Sequence, residues 1–217
     1  MQKHYLVERA EQIMEPYLAD LKAIVNIDSG TYNKAGVDHV GAYLQERFSD
    51  SGFSTYFDAQ KEYGNHLVAT HQGSRPDGAR ILLIGHMDTV FPDGEVGRRP
   101  FSISEQDGVR VAKGPGVLDM KSGVLIGMYG VQQLIEAQEA NYKSVTFILN
   151  SDEEIGSPVS KPLIQELGQQ ADAVIVLEPG RLINQVVSSR RSSGLYRVEV
   201  RGRSAHAGVE PQKGINA

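Results

Sequence analysis

Along this 217-residue chain the hydrophobic positions switch repeatedly between a helical and an extended period. Leu6 to Val25 reads as helix, because Ile13, Leu18, Leu21, Ile24 and Val25 recur at a spacing that keeps one face apolar. Pro16 inside it marks either a break or a first-turn position, since proline has no amide to give to the preceding turn. Gly30 to Asn33 reads as loop. Val37 to Phe48 predicts a second amphipathic helix with Val40, Leu44 and Phe48 four apart, closed by Gly52. Ser54 to Ala59 and His66 to His71 predict strands, the second ending in the turn Gly73 to Gly78.

Ile81 to Ile84 carries no polar residue, as expected of a strand buried on both faces. Phe101 to Ala112 predicts a hairpin turning at Gln106-Asp107-Gly108. A long helix over Ser122 to Ala137, a strand over Val145 to Leu149, a helix over Lys161 to Leu167 and a strand over Ala173 to Leu177 follow. Strands alternating with helices predict an α/β domain: a largely parallel central sheet flanked by helices. After about Ser192 the pattern changes. Leu195 to Arg201 alternates like an antiparallel strand with one wet face, then a small-residue loop runs over Gly202 to Gly208. A lone strand buries nothing by itself. The expected division is therefore 1–191 for the α/β domain and 192–217 for the opening of a second one.

With 40% hydrophobic residues, the chain can bury a sizeable core. Its formal net charge of -5, from 22 basic and 27 acidic residues, argues against a nucleic-acid partner. No cysteine is present, which excludes disulfides, thiolate metal sites and cysteine nucleophiles. The first residues carry no apolar secretory segment, and no apolar run approaches a membrane span. The expectation is a cytoplasmic protein that engages neither membrane nor nucleic acid.

The chemistry-bearing residues cluster just past the apolar strands. His86 and Asp88 follow Ile81 to Ile84, Asp152-Glu153-Glu154 follow Val145 to Asn150, and Glu178 follows Ala173 to Leu177. Asp119 precedes the long helix. In open α/β sheets the ends of the parallel strands converge on one crevice. So many carboxylates would repel one another there unless a cation sat among them. Each group also has a plainer reading. His86 alone is a structural strand-end residue, Asp119 a helix cap, Asp152 to Glu154 a solvated acidic turn, and Glu178 a loop residue. His206, between small residues, reads by itself as an exposed loop histidine. His4, His39, His66 and His71 read as structural or exposed. The spacing of His86 and Asp88 lets the carboxylate reach behind the imidazole and fix its orientation. No nucleophile elbow and no phosphate-binding loop is present.

Together, five segments resemble the dinuclear zinc carboxypeptidase and deacylase family. They are Gly85-His86-Met87-Asp88-Thr89-Val90, Gly114 to Gly123, Asn150 to Ser157, Leu177-Glu178-Pro179 and Ser204-Ala205-His206-Ala207-Gly208. Glutamate carboxypeptidase, acetylornithine deacetylase, succinyl-diaminopimelate desuccinylase and aminoacylase belong to that family, and the wording here is most similar to the glutamate carboxypeptidase branch. The resemblance implies two zinc ions, with cobalt or manganese able to substitute. It implies His86 and Glu178 on one ion, Asp119 bridging both, and Glu154 on the other. It implies Glu153 as general base, Asp88 as the partner that orients His86, and His206 as the lid histidine that steadies the oxyanion. The peptide after Asp119 is often cis in the family.

The implied reaction is metal-dependent hydrolysis of an amide beside a free carboxylate, in a small peptide or an N-acyl amino acid. The alternatives are a deacetylase or desuccinylase of the same family, and a fragment that acts by binding or assembly. The resemblance covers about the first half of a typical member. A full-length member supplies a further histidine ligand and substrate-carboxylate binders, and pairs as a homodimer through its lid domain. The expectation is therefore a truncated chain, weakly active or inactive alone, that binds at most one ion well.

Overall fold

The computed structural model describes residues 3–180, 186–189, 191, 194 and 196–216, with backbone alone given for 3–7. The described chain divides into two compact units, Met1–Pro179 and Gly180–Ala217. The expected boundary at 191/192 falls within the second unit; Ser192 and Leu195 lie outside the described residues.

The predicted first helix is two. Helix α1 spans Lys3–Gln12 and α2 spans Met14–Val25, with Ile13 between them at φ −90°, ψ −2°. Pro16 falls in the first turn of α2, where a missing amide costs nothing. Helix α3, Lys34–Asp50, begins one residue after Asn33, whose side chain accepts a hydrogen bond from the Gly36 amide. The buried carboxylate of Asp20 ties α2 to its neighbours. It accepts from the Tyr43 and Tyr129 hydroxyls, each at 2.8 Å, and from Arg47 Nε at 2.9 Å.

A five-stranded sheet forms the centre. Its strands are β1 (Ser54–Asp58), β2 (His66–Gln72), β3 (Arg80–His86), β6 (Ser144–Asn150) and β7 (Ala173–Val176), in the order β1-β2-β6-β3-β7. The sheet is mixed. β1 pairs with β2 and β2 with β6 antiparallel, whereas β3 pairs with both β6 and β7 parallel. A one-turn helix α4 (Glu95–Arg98) and a separate hairpin, β4 (Ser102–Gln106) with β5 (Val109–Lys113), follow β3 in the chain. Helix α5 (Ser122–Glu136) and α6 (Lys161–Gln170) complete the unit.

Helices cover both faces of the sheet, which explains the unbroken apolar run in β3. Leu83, Phe147, Leu149, Leu67 and Ala69 join the core made with α2, α3 and α5. Leu82, Ile148 and Val68 point the other way, against Leu163, Ile164 and Leu167 of α6. Successive residues of a strand face opposite sides, so β3 must be apolar at every position. β7 departs from the burial its sequence suggests. Among the described residues it pairs only with β3, and Val174, Ile175 and Val176 are about half exposed.

In the second unit, Tyr196 to Arg201 forms no strand, contrary to the expected lid strand; no partner ladder is present among the described residues. What it holds is an isolated bridge between Arg203 and Ile215 and a short turn of helix over Pro211–Lys213. No helix among the described residues is long and apolar enough to cross a membrane.

Candidate metal centre

The three parallel strands end together. His86 is the last residue of β3 and stands beside Asn150, the last residue of β6. The Met87 amide donates to the Asn150 carbonyl at 2.8 Å, and the Leu177 amide to the Ile84 carbonyl at 2.9 Å. The loops leaving β3, β6 and β7 therefore start from one rigid edge, and they carry His86–Asp88, Asp152–Glu154 and Glu178. Asp119 arrives on the turn that leads into α5. That turn needs Gly116 at φ 68°, where a Cβ would lie 2.6 Å from the Thr89 methyl. The Asp119–Met120 peptide is cis.

His86 is the hub. Its Nε2 lies 3.0 Å from Asp119 Oδ1, 3.4 Å from Glu178 Oε1 and 4.0 Å from Glu153 Oε2. Two donor sets have ligand atoms within 4.8 Å of one another: His86 with Glu153 and Glu178, and His86 with Asp119 and Glu154. The imidazole is fully buried, whereas the Asp119, Glu153 and Glu178 side chains keep substantial access to solvent. An ion can thus reach the cluster from the crevice.

Behind His86 stands Asp88. The His86 Nδ1 is 2.9 Å from the Asp88 backbone carbonyl and 3.3 Å from its carboxylate. The carboxylate is completely buried and holds three other groups. Thr31 Oγ1 donates to it at 2.7 Å, and the amides of Glu153 and Glu154 donate at 3.2 Å each. One buried anion thus fixes the imidazole and the backbone of both glutamates.

Asp152 anchors the same turn from the far side. Buried, it accepts from the Val159 and Ser160 backbone amides at 2.8 and 3.1 Å and from the Asn150 side-chain Nδ2 at 3.2 Å. Lys121 anchors the Asp119 turn. Its buried Nζ donates to the carbonyls of Ile24, in the last turn of α2, and of Ile27, just past it, at 2.8 and 3.1 Å. Burial pulls that ammonium down to about 7, against the opposing charge of Asp28.

The ionisation of the cluster shows how much it needs positive charge. Burial and the surrounding carboxylates of Asp119, Asp88 and Glu153 push Glu154 up to about 7, against the pull of His86. Glu153 is also raised, chiefly by burial. Burial pulls His86 down, but its hydrogen bonds to Asp88 and Glu178 and the nearby charges win, raising it to about 11. Asp88 goes the other way. Burial opposes its ionisation, yet its bonds to His86, Thr31 and Glu154 hold it below the usual carboxylate range. Protons are held where a divalent cation would satisfy the same oxygens and nitrogen better. The donor set is the borderline-to-hard mixture of imidazole and carboxylate that zinc, cobalt and manganese accept. Two donors about 2.1 Å from one tetrahedral ion stand roughly 3.4 Å apart. The spacings from His86 to Asp119 and Glu178 fit that value, so the residues present suit a metal.

All six of these side chains belong to the first unit. His206, the seventh residue singled out in the sequence, belongs to the second. It is exposed in a turn where its carbonyl accepts from the Val209 amide at 3.2 Å and its Nδ1 from the Gly208 amide at 3.2 Å. Sequence reasoning missed Thr31, Lys121, Asn150 and the anchoring part of Asp152. Their partners lie on other loops, as Thr31 shows, 57 residues from Asp88. His66, read as structural or exposed, is fully buried, with Nδ1 3.1 Å from Ser151 Oγ.

The chain is similar to known proteins along most of its length. Carboxypeptidase G2 of Pseudomonas sp. (strain RS-16) is 31% identical over 215 residues, covering 98% of this chain and 50% of that protein. A succinyl-diaminopimelate desuccinylase of Rickettsia prowazekii (strain Madrid E) is 27% identical over 212 residues, covering 92% of this chain and 54% of its own. The chain thus spans about half the length of these relatives. The crystal structure of aminopeptidase PepT from Bacillus cereus ATCC 10987 covers 92% of this chain and 52% of its own, with a TM-score of 0.69 at 24% identity, which establishes a shared fold. Residues 82–214, which contain every residue of the cluster together with His206, match peptidase family M20/M25/M40, and the chain belongs to that family.

Proposed function

We propose that this chain carries the cation-holding part of an amide hydrolase that cuts beside a free carboxylate, in a small peptide or an N-acyl amino acid. The observation that carries the reading is the graded set of distances around His86 Nε2. Asp119 and Glu178 stand at ligand spacing, 3.0 and 3.4 Å, while Glu153 stands further out at 4.0 Å. That supports His86, Asp119 and Glu178 as ligands of one ion, with Asp119 and Glu154 serving a second. It leaves Glu153 free to act on a water.

When bound, zinc supplies a Lewis acid that polarises the scissile carbonyl and makes water easier to deprotonate at neutral pH. Glu153 accepts the proton from the attacking water and returns it to the departing amine. The raised affinity of Glu153 for a proton suits that exchange. Asp88 keeps His86 Nε2 turned toward the ions. His206 is assigned to the developing oxyanion on the strength of its Ser204 to Gly208 motif, a kind of contact worth roughly 3 kcal/mol. The second unit is taken as the opening of a lid domain through which full-length protein pairs as a homodimer.

Removal of a succinyl or acetyl group is the second reading, supported by the desuccinylase relative. Zinc titration of single variants tests the assignment of roles. His86→Ala, Glu154→Ala and Glu178→Ala should lose zinc, and Glu153→Gln should keep it. Equal loss in Glu153→Gln and Glu178→Ala would overturn the role of Glu153 as base. Turnover of N-acyl-glutamates, N-succinyl amino acids and dipeptides by a zinc-loaded full-length protein separates the substrate classes.

A further inference from the structure

Past the end of β6 the chain runs through Ser151 and Asp152 into Glu153 and Glu154. Two clamps hold this turn. Asp88 takes the amides of both glutamates, and Asp152 takes those of Val159 and Ser160. A third clamp comes from β2. That strand runs antiparallel to β6, so its first residue, His66, arrives where β6 ends. His66 and Ser151 are both fully buried. Ser151 Oγ donates to the Gly64 carbonyl and lies 3.1 Å from His66 Nδ1. Only glycine fits at Gly64, where a Cβ would lie 2.5 Å from Val37 Cγ1 and 3.2 Å from Ser151 Cβ. Asn65, between Gly64 and His66, ties the segment to α3. Its amide donates to Asp38 Oδ1 at 2.7 Å, and its Oδ1 accepts from Lys34 Nζ at 3.1 Å.

These bonds dictate where the ring carries its proton. A carbonyl can only accept, so the single hydroxyl proton of Ser151 goes to Gly64. Ser151 Oγ must then accept from the ring, which puts the imidazole proton on Nδ1. Burial pulls His66 below its ordinary value, against the charges of Asp152, Asp58 and Asp88, so the ring holds that one proton at neutral pH. Nε2 is left as a bare acceptor, buried and without a hydrogen-bond partner among the described residues. Leucine would fill the same place with no orphaned acceptor. The chain keeps a costly buried ring whose one hydrogen bond goes to the turn beneath Glu153, and such an exception calls for a use.

We propose that His66 is a positioning residue for the Glu153–Glu154 turn: its Nδ1–H, acting through Ser151 Oγ, holds the backbone where both glutamate amides reach Asp88. Its bearing on catalysis rests on the reading of Glu153 as base. The positioning itself rests on the bonds of His66, Ser151 and Gly64 alone.

Native-state hydrogen exchange of the metal-free chain, beside its urea midpoint, tests this. Imidazole nitrogen shifts should show the Nδ1–H form of His66, and an Nε2–H ring would overturn the proposal. His66→Leu should speed exchange of the Glu153 and Glu154 amides roughly tenfold, the worth of one hydrogen bond. Its urea midpoint should stay at or above that of wild type, because the orphaned acceptor is removed as well. His66→Asn puts an amide N–H where Nδ1 stood and leaves the far half of the ring's space empty. It should lower the midpoint, yet keep exchange of both amides within about threefold of wild type. Exchange in the double variant His66→Leu, Ser151→Ala should be no faster than in Ser151→Ala alone, since His66 acts through that hydroxyl. Unchanged exchange in His66→Leu, or exchange that follows the midpoint in both His66 variants, would reduce His66 to packing and overturn the proposal. In zinc-loaded full-length protein, His66→Leu should lower kcat roughly tenfold with KM within about twofold, and His66→Asn should keep kcat near wild type. Faster amide exchange beside an unchanged kcat would uphold the positioning and overturn the reading of Glu153 as base.

Discussion

Replacing Asp88 by asparagine changes one atom and removes one charge, yet the structure predicts two separate losses. Each carboxylate oxygen accepts one backbone amide, that of Glu153 on Oδ1 and that of Glu154 on Oδ2. Asparagine offers only one oxygen, so one of these amides must face an NH2 group. A buried donor left without an acceptor costs about 1–3 kcal/mol. The amide that keeps its partner, and Thr31, exchange charge-assisted hydrogen bonds for neutral ones, at about 1 kcal/mol more. Asp88→Asn should therefore lower the stability of the metal-free chain by roughly 2–4 kcal/mol. Losing the anion behind a histidine ligand should also weaken zinc by about 10–100-fold. Urea denaturation without metal reads the first loss, and competition with a chromophoric chelator reads the second. The acid limb gives a further check. Asp88 is held below its ordinary value, so its contribution is present above about pH 4 and is lost as pH falls through the lowered value. Wild type should lose more stability on acidification below about pH 4 than the variant does. Stability within about 0.5 kcal/mol of wild type, with zinc affinity within about twofold, would refute the role given to Asp88.

Three other outcomes are expected. Without metal, Glu154 holds its proton up to about 7, so zinc must displace that proton at lower pH; zinc affinity should fall as pH drops below 7 and proton release should accompany binding, both measurable by calorimetry in buffers of different ionisation enthalpy. Gly123→Ala would place a Cβ 2.0 Å from the Leu177 carbonyl, so it should cost about 1–3 kcal/mol and weaken zinc by displacing Glu178, whereas Gly130→Ala on the same helix, with open space around it, should be neutral or stabilising by about 1 kcal/mol in thermal denaturation. Asp152→Ala leaves the Val159 and Ser160 amides without their acceptor and should cost about 2–4 kcal/mol in urea denaturation, with weaker zinc binding because the Glu153–Glu154 turn loosens.

The sequence made the site more legible than the fold's edges. The continuous apolar run in β3 revealed a strand covered on both faces, and the residues just past the apolar strands had to share one crevice. That placed His86, Asp88, Glu153, Glu154 and Glu178 together without knowledge of any contact. The scaffold behind them was not legible, because Thr31, Lys121 and Asp152 act through partners that no local period connects. The Lys121 ammonium, for instance, is buried against two carbonyls nearly a hundred residues earlier in the chain. Periodicity also misjudged segments whose burial depends on neighbours. Ala173 to Val176 has the composition of a core strand but lies at the sheet edge. Tyr196 to Arg201 alternates like a strand but has no ladder among the described residues. The break at Ile13 was invisible because the apolar spacing continues through it, as only the backbone angles change.

Elemental analysis of the chain after dialysis against a weak chelator, run beside His86→Ala, tests the central claim most directly. The account predicts close to one zinc bound per wild-type chain and none on the variant, because Asp119 and Glu178 stand at ligand spacing from His86. A metal-free wild type, or a variant that keeps its zinc, would contradict it.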